Sequence, residues 1–495
     1  MVVYMPQNPI LIEQLAQKRI LILDGAMGAM IQRELLAESD FRGERFKDHP
    51  VPLKDCNDLL CLTKPFIVSG IHEAYLKAGA DIIETCSFNA TSLSLADYGL
   101  ADYAYEISVA AAALARKAAD VFSVPEKPRF VAGSIGPTAK SASIAPDLDN
   151  PAKRSVTWDA LESAYYDNAR GLLDGGADIF LIETVFDTLN AKAAIFAVRR
   201  LAAERGLDLP LIISATVSDN GRILSGQSVD AFCASVLHAK PLALGLNCSF
   251  GAQKLKPYIS ELASAAPCFI AAYPNAGLPN SQGLYDESPE TMADHLEEYM
   301  REGLVNIAGG CCGSSPEHIA AIAARAERYS PRIVPAPSQE IKITGLDVLE
   351  VSADLLSTFI SQMLKTAEDP AESQRGEFNK LLKEGDYDGA VDIVRDTVDN
   401  GAELIEVYID DTVPNASTVV SSFFNLALQY RDIASRPVLL DSPQWEVIEA
   451  GLKCLQGKGI VRAASLGEPS GKSAAEEAER SRRLALVQAY GAAVV

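Results

Sequence analysis

Nine cysteines and five histidines in 495 residues leave few side chains able to hold a metal or act as a nucleophile. Two of the cysteines are adjacent, in Gly309-Gly310-Cys311-Cys312-Gly313, and a third closes the run Gly245-Leu246-Asn247-Cys248. Three thiolates can bind Zn²⁺ and leave a fourth tetrahedral position open, the arrangement of a catalytic rather than a closed structural site. The flanking glycines let the backbone bend until both neighbouring thiols point at one ion. An incoming thiol in the open position would be held as thiolate, so the chemistry expected is activation of a thiol for nucleophilic attack. The same residues also read as two small buried hydrophobes or a redox pair, since a vicinal pair is not a CxxC signature. Cys56, Cys61, Cys86, Cys233, Cys268 and Cys454 read as fillers of core or near-surface space.

Cys248 can meet the vicinal pair only if the fold brings distant segments together. Over the first 325 residues short β-rich runs alternate with longer Ala/Leu/Glu-rich stretches such as Ala104–Val121 and Ala191–Arg205. Eight strands are predicted, at Arg19–Leu23, Asp81–Thr85, Phe130–Ser134, Ile179–Thr184, Leu211–Thr216, Ala243–Cys248, Phe269–Tyr273 and Val305–Gly310. Strands alternating with helices imply a parallel sheet, and eight such units fit a closed (β/α)8 TIM barrel better than an open sheet. In such a barrel all strand ends converge on one face, which gathers Asp24, Glu84, Ser134, Glu183, Asn247, Asn275 and the cysteines around one pocket.

At roughly 150 residues per domain the chain should hold two or three units. Residues 1–330 are expected to form the barrel. The Pro/Ser-rich stretch from Pro331 to Ser338 marks a linker over 331–345, and 346–495 form a partial second β/α barrel of about four strands, roughly half of one. Hydrophobic residues at 48% and charged residues at 22% suit a globular chain. Sixty-six acidic against 44 basic side chains give a net charge of −22, which repels a nucleic-acid backbone. No apolar run reaches the ~18–20 residues of a membrane span, and the first residues do not read as a secretory signal. No nucleic acid or membrane is expected as a partner, and a cytoplasmic location is.

The strings Leu23-Asp24-Gly25-Ala26-Met27-Gly28, Phe41-Arg42-Gly43-Glu44-Arg45-Phe46, Glu84-Thr85-Cys86-Ser87-Phe88-Asn89, Ile182-Glu183-Thr184-Val185-Phe186-Asp187, Gly245–Cys248 and Gly309–Gly313 resemble the homocysteine-binding module of cobalamin-dependent methionine synthase, from about residue 10 to 330. The resemblance implies zinc held by Cys248, Cys311 and Cys312, with homocysteine sulfur in the open position and Asn275 as an oxygen ligand in its absence. It implies that Glu183 pairs with the substrate ammonium, with Asp24 nearby, and that the backbone around Gly133, Ser134 and Gly136 meets the carboxylate. Ala26 and Ala29 stand where the family commonly has Gly and Thr, both small changes.

From about residue 376 the chain resembles the folate-binding barrel of the same enzyme, most closely at Leu452-Lys453-Cys454-Leu455-Gln456-Gly457-Lys458-Gly459-Ile460-Val461. The match fails where a pterin would be read. Ser357-Thr358-Phe359-Ile360-Ser361-Gln362-Met363 replaces the family's Asn-Val-Gly-Glu-Arg-Thr-Asn, and Tyr408 and Arg462 replace asparagines, although Asp441 survives. Tyr and Arg cannot supply the same donor–acceptor edge, so folate is not expected to bind. No histidine has the Asp-x-His-x-x-Gly context of a cobalamin module, and methylcobalamin, if used, must come on a separate corrinoid protein. The function expected is therefore a zinc-dependent homocysteine S-methyltransferase of the methionine synthase type, its methyl donor another protein or a small molecule such as S-methylmethionine. A non-catalytic zinc- and homocysteine-binding remnant is the alternative. The open edge of a partial barrel also suggests self-association.

Overall fold

The computed structural model describes residues 9–147, 149–283, 285–336, 340–352, 370–467 and 473–495. The expected replacement for the folate barrel's first strand, at 357–363, lies outside the described residues. Eight parallel strands, β1 (Leu21–Ile22), β2 (Ile82–Glu84), β3 (Phe130–Ile135), β4 (Ile179–Val185), β5 (Leu211–Ala215), β6 (Ala243–Gly251), β7 (Phe269–Asn275) and β8 (Ile307–Ala308), form one sheet. Its order is β1-β8-β7-β6-β5-β4-β3-β2, and a parallel bridge between Leu23 and Ile82 closes it. Two backbone bonds support that seam, Asp81 N to Ile22 O at 2.7 Å and Asp24 N to Ile82 O at 3.0 Å. The expected barrel is the observed one.

Alternation along each strand explains the closure. Leu21, Leu23, Ile82, Phe130, Ala132, Ile179, Leu181, Ile212, Ala243, Phe269, Ala271 and Ile307 fill the barrel interior as one cluster. Their neighbours Ile22, Ile83, Val131, Phe180, Ile182, Ile213 and Leu244 face the surrounding helices. Strands buried on both sides read as continuous apolar runs, which is why they stand out in the sequence. The helices Trp158–Gly175 and Thr188–Arg205 are delimited locally. Thr157 and Asp187 accept the backbone N–H of Ala160 and Leu189 at their starts, and Gly176 and Gly206 end them in the left-handed region.

Below the barrel, Arg332 ties the chain to the floor. Its backbone N–H bonds Val305 O at 3.0 Å and its guanidinium reaches Cys268 O and Ala266 O, both at 2.8 Å. A hairpin follows, β9 (Glu340–Thr344) with β10 (Val348–Ser352), so residues 340–344 of the expected linker form a strand. Beyond it β11 (Ile405–Tyr408), β12 (Val438–Asp441), β13 (Ile460–Val461) and β14 (Ala493–Val494) make a four-stranded parallel sheet in that order. Ile343 and Val351 of the hairpin pack on Leu404, Leu439 and Ile460. No described helix is long and apolar enough to cross a membrane.

This second sheet leans on the barrel's flank. Tyr490 stacks on Phe196 with centroids 5.0 Å apart and tilts against Trp158 at 5.4 Å. Gln429 donates to Ser143 O at 3.0 Å. Beside them Lys192, only 1% exposed, donates to Leu455 O at 2.9 Å and Gly457 O at 3.0 Å. Burial pushes its amine down to about 7, and a neutral amine still carries the two hydrogens that these carbonyls need. Lys192→Met keeps the length and removes both donors. It is expected to lower unfolding free energy by about 2 kcal/mol, because two buried carbonyls lose their partner. Urea titration checks this, and a wild-type midpoint would count against the latch.

Candidate metal and substrate site

The alternation that fills the barrel continues one layer upward and there turns polar. Two residues beyond Ile82, Ala132, Leu181, Ile212 and Ala271 come Glu84, Ser134, Glu183, Ser214 and Tyr273, and Asn247 lies four beyond Ala243. Period-two geometry aims them all into the barrel mouth. Asp24 joins them just past β1, its Oδ2 accepting the N–H of Glu84 at 3.1 Å.

Buried polar groups need partners, and much of this layer has them. Ser134 Oγ donates to Glu183 Oε1 at 2.5 Å, while its own N–H bonds Thr85 Oγ1 at 2.9 Å. Asn247 Oδ1 accepts from Ser214 Oγ at 2.7 Å and from Thr184 N at 3.1 Å, and its amide donates to Thr184 Oγ1 at 2.8 Å. In this layer Asp24 Oδ1, Glu84 Oε1 and the Tyr273 hydroxyl are buried with no hydrogen-bond partner among the described residues.

The carboxylates are held in an environment hostile to charge. Burial raises Asp24 well above the usual range and the nearby Glu183 adds to it. Burial likewise raises Glu84, reinforced by Glu183 and Asp24, and pushes Glu183 up to about 7. No cationic side chain contributes to any of the three. Asp24 and Glu183 are 2% and 4% exposed, so water screens little of this repulsion.

The thiols converge beside this acidic layer by a departure from regular strand geometry. Alternation would send Cys248 outward, because Asn247 points in. Instead Cys248 and Ser249 both adopt φ of 60°, and the register with β7 slips between Asn247 and Gly251. This bulge turns the thiol back toward β8, at a cost of about 1–3 kcal/mol for each left-handed non-glycine residue. The vicinal pair is fixed by its backbone. Gly310 N bonds Asp24 O at 3.1 Å, Cys311 N bonds Pro274 O at 2.7 Å, and Cys312 O accepts from Ala276 N at 2.9 Å. Gly313, at φ 80°, closes the turn where a Cβ would stand 2.2 Å from that of Tyr285.

Cys248 Sγ lies 3.5 Å from Cys312 Sγ, which lies 4.0 Å from Cys311 Sγ, and all three atoms fall within 4.8 Å of one another. A tetrahedral ion with metal–sulfur bonds of about 2.3 Å sets its sulfurs roughly 3.8 Å apart, so the set fits a thiophilic divalent ion. It is the one cluster of metal-ligating groups among the described residues. The three residues are half-buried, whereas Cys56, Cys61, Cys86 and Cys233 are buried. Hydrogen bonds from Cys248 and Cys311, with a smaller one from Tyr285, lower the Cys312 thiol to about 3. Bonds to Cys248 and Cys312 raise Cys311. A bound cation would favour all three thiolates together.

Of the residues singled out from sequence, Asp24, Ser134, Glu183, Asn275, Cys248, Cys311 and Cys312 meet at this mouth. Asn275 accepts the N–H of Cys312 through Oδ1 at 3.1 Å. Gly133 precedes Ser134 on β3, and the space where its side chain would stand faces Leu172 at 3.1 Å, so only its backbone is available to the mouth. Glu84 and Asn247, expected at the pocket but given no role there, and Tyr273 and Tyr285, which were not singled out, line it as well. The first three carry a signal, the two-residue step from an interior apolar position, whereas Tyr285 comes from a loop with no such periodicity.

Residues 21–326 match the family model described as Homocysteine S-methyltransferase, and residues 376–495 match that of Pterin binding enzyme. Among solved structures, the chain is similar to the homocysteine methyltransferase MmuM from Escherichia coli. It is 24% identical to the oxidized form, covering 64% of this chain and 100% of that one, with a TM-score of 0.51. The metallated form gives the same identity and coverage with a TM-score of 0.50. These likenesses bear on the fold; the family model spans well over half of the 495 residues. The chain belongs to the homocysteine S-methyltransferase family and is a methyltransferase.

Proposed function

We propose that this protein is a zinc-dependent homocysteine S-methyltransferase of the methionine synthase type, converting homocysteine to methionine. The observation that carries the reading is the set of three thiols at zinc spacing beside a buried acidic layer. Cys248, Cys311 and Cys312 would hold the metal. Zinc, when bound, supplies a Lewis-acid position that favours a deprotonated thiol at neutral pH.

The chain's own residues do the positioning. Glu183 and Asp24 receive the substrate ammonium, and the Ser134 hydroxyl fixes the Glu183 carboxylate. Asn275 sets the Cys312 backbone, and the Asn247 amide approaches Cys311 Sγ at 3.9 Å. The substrate thiol gives its proton to solvent. Its sulfur lone pair then attacks the methyl carbon in line, and the bond pair of the broken carbon–donor bond leaves with the donor. Rate comes from orientation rather than from a general base.

The donor is a methylcobalamin-carrying protein acting in trans or a small molecule such as S-methylmethionine. Folate is not assigned. Arg462 lies 2.6 Å from Asp441 Oδ2 and also meets Glu406, so the carboxylate that would read a pterin is already paired. The test is zinc per chain in purified protein, followed by methionine formation from homocysteine with each donor separately. About one zinc and turnover with either donor are expected. A zinc-free wild-type chain, inactive with both, would overturn the reading.

A further inference from the structure

Glu84 ends β2 between Asp24, at the tip of β1, and Ser134 on β3, with Glu183 on the strand beyond. Its backbone is already satisfied by the sheet and by Asp24, so the fold does not need its carboxylate for hydrogen bonding. The side chain nevertheless points into the mouth with Oε1 buried and unpartnered, as is Asp24 Oδ1, and the two carboxylates feel each other's charge. A glutamine or leucine would fill the same space without adding a third acid. Crowding three buried carboxylates with no cationic side chain near them is unfavourable, and the raised proton affinity of all three reports that cost. The arrangement becomes favourable when a cation enters. An ammonium has three N–H donors, and the layer offers one acceptor from each carboxylate.

We propose that Glu84 completes, with Asp24 and Glu183, a three-carboxylate cage for the protonated amine of the substrate, and that it sets the preference for an aminated over a des-amino thiol acid. The inference rests on the homocysteine reading and adds to it a residue that determines specificity.

The test compares zinc-loaded wild type, Glu84→Gln and Glu84→Asp by calorimetric titration with homocysteine and with 4-mercaptobutanoate, which keeps the thiol and the carboxylate but lacks the amine. Glu84→Gln is expected to weaken homocysteine binding by about 10- to 100-fold, the value of one charge-assisted hydrogen bond, and to leave 4-mercaptobutanoate unchanged or tighter. Glu84→Asp, which restores the charge one methylene further back, should recover part of the selectivity. Equal losses for both ligands in both variants would mean that Glu84 only packs, and unchanged ratios would equally overturn the cage. Wild-type protein that binds neither ligand would instead overturn the functional reading beneath it.

Discussion

Cys312→Ala is expected to leave the purified chain without zinc and to reduce methyl transfer to homocysteine by at least about 10³-fold. Cys312 is the hinge of the thiol set, 3.5 Å from one partner sulfur and 4.0 Å from the other. It is also the thiol most readily ionised, lowered to about 3 by its neighbours' hydrogen bonds. Structural zinc sites bind with about 10–16 kcal/mol over four ligands, so one thiolate is worth roughly 3–4 kcal/mol, or about 10²- to 10³-fold in affinity. Activity should fall further, because the two remaining thiols no longer hold an ion in a fixed orientation. Zinc content after dialysis against a chelator, together with methionine formation, checks both parts. Cys454→Ala is the control, since Cys454 donates to Ala450 O far along the chain from the cluster and should retain metal and turnover. A Cys312→Ala protein with full zinc would refute the ligand assignment.

The barrel was legible because its strands are buried on both faces. Runs such as Ile179–Ile182 and Phe269–Ala272 are apolar without interruption, and the helices between them keep their own caps. Ser134 and Glu183 were legible too, standing at strand ends where a barrel gathers its chemistry. What escaped notice depended on long-range or non-regular backbone. Glu84 was expected at the pocket but without a role, since a carboxylate beside Thr85 and Cys86 reads equally well as a strand terminus. Nothing in Asn247-Cys248-Ser249 announces two consecutive left-handed residues, so the bulge that turns the thiol inward is visible only in three dimensions. The hairpin of β9 and β10 was masked by the Pro/Ser-rich run before it, although Ile341 and Ile343 alternate as a strand should. Lys192 lies in an Ala-rich helix where its burial follows from a sheet more than 250 residues away in sequence.

Glu183→Gln should uncouple stability from binding, strengthening the fold while removing the substrate's main contact. The ordinary glutamate value is near 4.5, and burial moves Glu183 to about 7. Between those two values the folded chain holds a proton that the unfolded chain has released. Stability from this group is therefore complete below about 4.5 and declines as pH rises through 7. The accumulated loss at pH 8 is roughly 3 kcal/mol. Glutamine is isosteric, can still accept from Ser134 Oγ, and does not ionise, so the variant escapes that loss. Its unfolding free energy should match wild type near pH 4.5 and exceed it by roughly 3 kcal/mol at pH 8. Homocysteine affinity should move the other way, by about 2–5 kcal/mol, because a buried ammonium loses its principal counter-charge. Denaturant titrations across pH 4.5–8 and calorimetry with homocysteine at pH 8 measure the two effects separately. A variant destabilised at pH 8 would show Glu183 ionised and paired in the free protein. A variant that bound homocysteine normally would show that the amine goes elsewhere. Opposite signs for stability and affinity are what a site built to receive a cation requires, since the repulsion it holds when empty is the attraction that it offers to the substrate.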